Sequence, residues 1–221
     1  MKVMIFGASG MVGQGVLREC LLNQAVEEVL VIGRSPVGRR DDKLREIVRA
    51  DMSDLSPIRD QLLGYDACYY CLGVSSAGMS EADYRRVTYD LTLSIARTLA
   101  ELNPGMTFIY VSGAGTDSTG KGSVMWARIK GETENALLML PFKAAYMLRP
   151  GIIQPMNGIM SKTRLYRVIY RIAGPLAALA RRLSPRFATT TEHVGRAMII
   201  LTQDGSPRTY LGNQDINALG V

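Results

Sequence analysis

The sequence predicts an α/β fold, a doubly wound parallel sheet with helices on both faces. It is expected as a single domain over residues 1–221 with a small C-terminal region for substrate or partner. Three observations predict this. Short apolar runs without alternation, such as Val3 to Phe6 and Val29 to Ile32, suit parallel strands covered on both faces. Stretches with apolar residues at helical spacing separate these runs. Several runs end at glycine, as at Gly7, Gly33 and Gly73. A chain of 221 residues that is 47% hydrophobic can bury a core of this size.

The first strand ends at Gly7, and Gly10 and Gly13 follow at steps of three. Val16, Leu17, Cys20 and Leu21 then recur at helical spacing. In a strand–turn–helix context each glycine has a physical task. One permits the tight turn, one lets backbone approach a pyrophosphate, and one lets helix and strand pack closely. The helix N-terminus adds free N–H groups and a positive dipole end. Gly7, Ser9, Gly10, Met11, Val12 and Gly13 are therefore the candidate phosphate-binding stretch of a Rossmann fold. The bland reading is a plain strand-to-helix turn. The spacing, G-x-x-G-x-x-G, resembles that of the extended and atypical branches of the short-chain dehydrogenase/reductase superfamily.

The second strand, Glu28 to Ile32, ends at Gly33-Arg34-Ser35. A carboxylate there would accept from a ribose 2′-hydroxyl and repel a 2′-phosphate. Arg34 stands there instead, and a guanidinium can fork onto a phosphate. With Ser35 beside it, Arg34 points to NADP rather than NAD. Arg39, Arg40 and Lys43 follow, partly offset by Asp41 and Asp42, and a solvated loop arginine is the plainer alternative.

Leu44 to Ala50 reads as the third strand, followed by Asp51-Met52. The resemblance implies that this pair contacts adenine. A helix start at Asp54 or Ser56 before Pro57 is the competing reading. The fourth strand runs from Asp66 to Gly73, and Leu72, Gly73 and Val74 stand where the family passes beneath the cofactor ribose. A long helix, Ser80 to Leu102, follows with Tyr84, Val87, Leu91, Ile95 and Leu99 as its buried stripe.

The fifth strand, Thr107 to Val111, leads into Ser112. By resemblance Ser112 orients a substrate carbonyl, and the next helix carries Tyr-x-x-x-Lys. The chain has Trp126-Ala127-Arg128-Ile129-Lys130 there. Lysine one turn on would lower a phenol's pKa, so that tyrosine could exchange a proton with the substrate oxygen. An indole N–H only donates hydrogen bonds. Ser112, Trp126 and Lys130 are thus the candidate catalytic residues, in an impaired set, and Lys130 also holds the nicotinamide ribose by resemblance. The plainer reading of Trp126 is a packing residue. After a sixth strand, Ala144 to Leu148, the run Arg149-Pro150-Gly151-Ile152-Ile153 stands where backbone meets the nicotinamide carboxamide in the family. With Cys71-Leu72-Gly73 and Lys130-Gly131-Glu132, it makes the chain similar to the Tat-interacting-protein-like group of atypical reductases. That group implies NADP binding and regulatory roles with modest redox evidence.

From Asn135 to Thr191 there are nine Lys or Arg and no Asp or Glu, while the remainder carries 17 basic and 20 acidic residues. Residues 154–190 read as a variable basic helical segment. Leu165, Val168, Ile169 and Ile172 mark an apolar face, and Arg164, Arg167 and Arg171 a basic one. Three readings stay open: a substrate lid, contact with an anionic membrane surface through 162–183, and a packed helix with a solvated basic face. Thr191 starts a capped helix, His193 reads as a surface residue in that cap, and Tyr210 to Gly212 as a last strand. Cys20, Cys68 and Cys71 are expected to be reduced, with no metal site, no signal peptide and no spanning helix. The expected location is cytoplasmic, with a small-molecule substrate, a candidate homodimer or protein partner, and no nucleic acid. The leading function is an NADP-binding oxidoreductase acting on a small carbonyl or hydroxyl compound. The alternative is a non-catalytic NADP-sensing regulatory or scaffolding protein.

Overall fold

Strand β1 (Lys2–Phe6) is fully buried after its first residue, and the rest of the molecule is laid around it. The computed structural model describes residues 1–159 and 187–221. Residues of β1 alternate between two cores. Val3 and Ile5 face one helical layer, Met4 and Phe6 the other. This explains the unbroken apolar run, since a strand covered on both faces has no polar side.

Helix α1 (Met11–Leu22) follows the glycine turn. The strands β2 (Glu28–Gly33), β3 (Leu44–Val48), β4 (Ala67–Tyr70), β5 (Thr107–Val111) and β6 (Ala144–Arg149) join β1 in one sheet. A short pair, β7 (Ile152–Gln154) and β8 (Ala188–Thr190), forms a separate two-stranded parallel sheet. The main sheet has the order β3-β2-β1-β4-β5-β6-β9, where β9 spans Tyr210–Gly212. Every neighbouring pair in it is parallel. Chain direction across the sheet reverses at β1, between β2 and β4. In such sheets this switch point opens a crevice beyond the strand ends.

Helices α2 (Glu81–Arg85), α3 (Leu91–Leu102) and α4 (Met125–Leu138) run between β4 and β6, and core residues of α3 and α4 pack with Met4 and Phe6. Helix α5 (Thr191–Gln203) packs beside α1 on the other face, and α6 (Asn213–Leu219) closes the chain. No described helix is long and apolar enough to cross a membrane.

Six expectations change, one of them the fourth strand, which was expected from Asp66 to Gly73 and is confined to Ala67–Tyr70. The third strand stops at Val48, before Ala50. The helix expected from Ser80 to Leu102 contains a π turn, Arg86–Asp90, between α2 and α3. Val87 and Leu91 are half-buried and border a cleft, with Leu91 also packed against the edge of the core. The cap of α5 is Thr190, whose hydroxyl accepts from the His193 N–H at 3.0 Å. Thr191 is already helical, and its hydroxyl accepts from the Met156 N–H at 3.1 Å. His193 is not a free surface residue: its Nδ1 lies 2.9 Å from Asn217 Oδ1, tying α5 to α6. Finally, the ends of the expected helical segment 154–190 are strands, since Gln154 closes β7 and Ala188–Thr190 is β8. The three readings of the basic segment fall on residues 160–186, outside the described residues.

Candidate functional site

The glycine turn joins β1 to α1 at the switch point. Gly7 has φ +83°, and a Cβ there would stand 2.7 Å from the backbone of Cys71 and Leu72, at the end of β4. A Cβ on Gly13 would stand 2.2 Å from the Gly7 carbonyl oxygen. Helix and strand therefore touch backbone to backbone, as the motif requires. The Gly10 N–H donates to the Gly7 carbonyl at 2.9 Å, and Gly10 caps α1, whose first turn holds no acid. An anion facing this helix end meets no competing carboxylate from that turn.

A cleft of about 450 Å³ opens in front of the turn. Gly7, Ser9 and Gly10 form one wall, and Arg34, Ser35, Asp51 and Met52 another. Leu72, Gly73 and Val74 border it too. Met11, Val12 and Gly13 stand in the first turn of α1 behind the wall. Sequence reasoning missed Cys71, Val37, Val87 and Leu91, which also line it. Cys71 could have been found from its place at the fourth strand's end.

The cleft is cationic at one side. Arg34 is exposed and makes no ion pair among the described residues. Asp51 is exposed as well, and its Oδ1 accepts from the Ser53 N–H at 2.8 Å and the Ser53 hydroxyl at 2.6 Å. These bonds hold its carboxyl below the usual range. Asp51 thus shapes a local turn, and Asp54 does the same one step later by accepting from the Ser56 N–H at 2.9 Å. Met52 is buried against the core and borders the cleft. Cys71 stays a thiol, since burial pushes it up to about 12.

Ser112, Trp126, Lys130 and Pro150 form a second group at the ends of β5 and β6 and on α4. Ser112 N–H donates to Leu148 O at 2.9 Å, and Ala114 N–H to Pro150 O at 2.8 Å, so the two loops are stitched together. The Ser112 hydroxyl also donates to Leu148 O, at 3.1 Å, and the residue is buried. Its hydroxyl proton is thus engaged by the neighbouring strand. The Lys130 ammonium donates to the Ser112 carbonyl oxygen and lies 5.8 Å from the Tyr110 ring centroid. The half-buried Trp126 indole lies against Gly115, where a Cβ would be 3.5 Å from its Cη2. Gly151 donates to Asn213 Oδ1 at 3.0 Å; Ile152 and Ile153 lie in β7.

Burial pushes Lys130 down to about 8, against an opposing pull from Glu134. Glu134 is itself fully buried, and Arg149 engages both of its oxygens. Lys130 is expected to titrate near its lowered value in the folded protein. The unfolded chain then binds the proton more tightly between about pH 8 and about pH 10, so folding stability rises with pH in that window. Urea unfolding should show this rise in the wild type and not in Lys130→Met. Equal slopes would mean that the ammonium is solvated.

Comparison with known proteins fits this arrangement. The profile of the NAD dependent epimerase/dehydratase family matches residues 3–123, and the chain belongs to that family. It is 27% identical over 212 residues to protein fmp52, mitochondrial, of Emericella nidulans, covering 90% of this chain and 85% of that protein. It is 28% identical over 154 residues to protein HTATIP2 of Rattus norvegicus, covering 69% and 62%. The Bordetella bronchiseptica enzyme WbmG, solved in complex with NAD, superposes with a TM-score of 0.68 at 14% identity over 96% of this chain and 72% of that one. The expected cytoplasmic location is overturned, because the fungal relatives are named as mitochondrial proteins.

Proposed function

We propose that this protein binds NADP in the cleft before the glycine turn and exchanges hydride with a small carbonyl or hydroxyl compound. The end of β2 carries the reading: it presents Arg34 and Ser35 to the cleft and no carboxylate. Gly7 to Gly13 would hold the pyrophosphate, Asp51 and Met52 the adenine, and Leu72 to Val74 the ribose beneath it. Lys130 would hold the nicotinamide ribose, and Pro150 to Ile153 the carboxamide. A bound nicotinamide supplies hydride chemistry. The chain supplies position and a half-buried cation at Lys130. WbmG was solved with NAD, so the preference for the phosphorylated cofactor rests on the end of β2, with Arg34, Ser35 and no carboxylate.

The second reading is a sensor that binds NADP without turnover. Two observations favour it: Trp126 has no acid–base chemistry, and the Ser112 hydroxyl is spent on Leu148. Titration with NADPH and NADH, followed by the emission of Trp126 and by calorimetry, tests the binding. Tighter binding of NADPH is expected. Tighter NADH would overturn the role of Arg34, and silence with both would reduce the glycine motif to a turn.

A further inference from the structure

Among the described residues, two buried side-chain atoms lack a hydrogen-bond partner: Gln154 Oε1 and Thr189 Oγ1. Both lie in the small sheet of β7 and β8. A buried acceptor left unpaired destabilises a fold. The two atoms differ in what can reach them. The register sets Ile152 against Ala188, Ile153 against Thr189 and Gln154 against Thr190. Side chains alternate along a strand, so Ile152 and Gln154 share one face with Ala188 and Thr190, while Ile153 and Thr189 lie on the other.

Ile153 and Thr189 are buried, which closes their face. Ile152 is 49% exposed and Gln154 is only partly buried, so their face is open at its edge. A small molecule can therefore come to Gln154 and not to Thr189. Nothing on the open face answers the carboxamide oxygen. Ile152 and Ala188 are apolar, and the Thr190 hydroxyl caps α5 by accepting from the His193 N–H. Strand β7 begins at Ile152, immediately after the Pro150-Gly151 pair assigned above to the nicotinamide. Gln154 stands three residues beyond Gly151, about 10 Å along an extended strand. A ligand at the hydride site thus meets Gln154 with its far end and not with its carbonyl.

We propose that Gln154 is a specificity-determining residue, its Oε1 accepting a hydrogen bond from a hydroxyl at the far end of the substrate. The substrate class is then a neutral hydroxy ketone or hydroxy aldehyde, which deepens the oxidoreductase reading above and rests on it. The donor is a hydroxyl and not an ammonium, because the face around Gln154 holds no carboxylate to compensate a buried cation. A carboxylate has no proton to give to Oε1.

The test is ligand-observed NMR titration of the protein saturated with NADP⁺. With the oxidised cofactor a ketone binds and cannot be reduced, so the readout needs no turnover. The probes are hydroxyacetone and butanone, which differ by OH for CH3, and their homologues longer by one, two and three methylenes. At one chain length the hydroxy ketone is expected to bind about tenfold tighter than its methyl counterpart, the effect of one neutral hydrogen bond. Gln154→Leu should erase that preference, and Thr189→Val, on the closed face, should keep it. Both variants should melt no lower than the wild type, because each removes an unpaired polar atom. No preference at any length would overturn the inference. So would a preference that survives in Gln154→Leu, one lost in both variants, or a lowered melting point in Gln154→Leu. In each of these cases the cofactor reading stands, since NADPH binding is measured separately. A wild type that binds neither cofactor would overturn both.

Discussion

Gly13→Ala is expected to remove measurable dinucleotide binding and to destabilise the fold by about 3 kcal/mol, the upper end for an overpacked site. The added methyl would sit 2.2 Å from the Gly7 carbonyl oxygen and 2.7 Å from the Ala8 Cα. Both are backbone atoms, so no side chain can swing aside. Helix α1 must lift from β1, and the N–H groups of its first turn lift with it. Gly10→Ala is the internal control, since its Cβ would meet only the Gly7 oxygen, at 3.3 Å. A few tenths of an ångström relieve that contact. Thermal unfolding should separate the two variants clearly, and NADPH calorimetry on Gly13→Ala reads the loss of binding. Wild-type behaviour in Gly13→Ala would show that the close approach is not needed for binding.

Trp126→Tyr is expected to raise carbonyl reduction by about a hundredfold or more, the usual contribution of a positioned proton donor. The indole of the wild type can donate a hydrogen bond but cannot surrender a proton near neutral pH. A phenol there would stand one turn before Lys130, on the same helix face. Its activation needs the ammonium form, so the gain should fade as pH rises past about 8 and Lys130 loses its proton. NADPH oxidation with a panel of aldehydes and ketones reads both the gain and its pH profile. If the wild type already turns over as fast as the variant, another group supplies the proton and the sensor reading falls.

The glycine turn and strands such as β1 and β5 were legible because each is a contiguous run read from its nearest neighbours. The turn is fixed by three glycines within seven residues, and strand order follows from right-handed crossovers between parallel strands. What was hidden depends on contacts across the chain. Ser112 was expected to face a substrate, but the direction of its hydroxyl is decided by Leu148 on the next strand. Val87 and Leu91 were placed in the core because their spacing fits an α-helix. The π turn shifts the phase by a residue, and no periodicity count shows that. Strands of three residues, such as β7 and β8, carry too few positions for a period-2 signal. The cap of α5 slipped by one because Thr190 and Thr191 are chemically alike, and only the folded chain separates them, Thr190 accepting from the His193 N–H and Thr191 from the Met156 N–H.

The packing of α1 against α5 bears on where this molecule could be cut. A Cβ on Gly15 would stand 2.5 Å from the Thr191 Cβ, and one on Gly195 would stand 2.8 Å from the Glu19 Cγ. Glu19 is buried there between Arg18 and Arg196. Residues 3–123, the span that carries the family's signature, contain α1 but not the helix that backs it. They also lack β6 and β9, which complete the sheet beyond β5. Excised, that span would bare Val16 and Cys20 to water and leave the helix behind the glycine turn unsplinted. The nucleotide module recognised in the sequence is thus half of a clasp, and the last thirty or so residues are the other half.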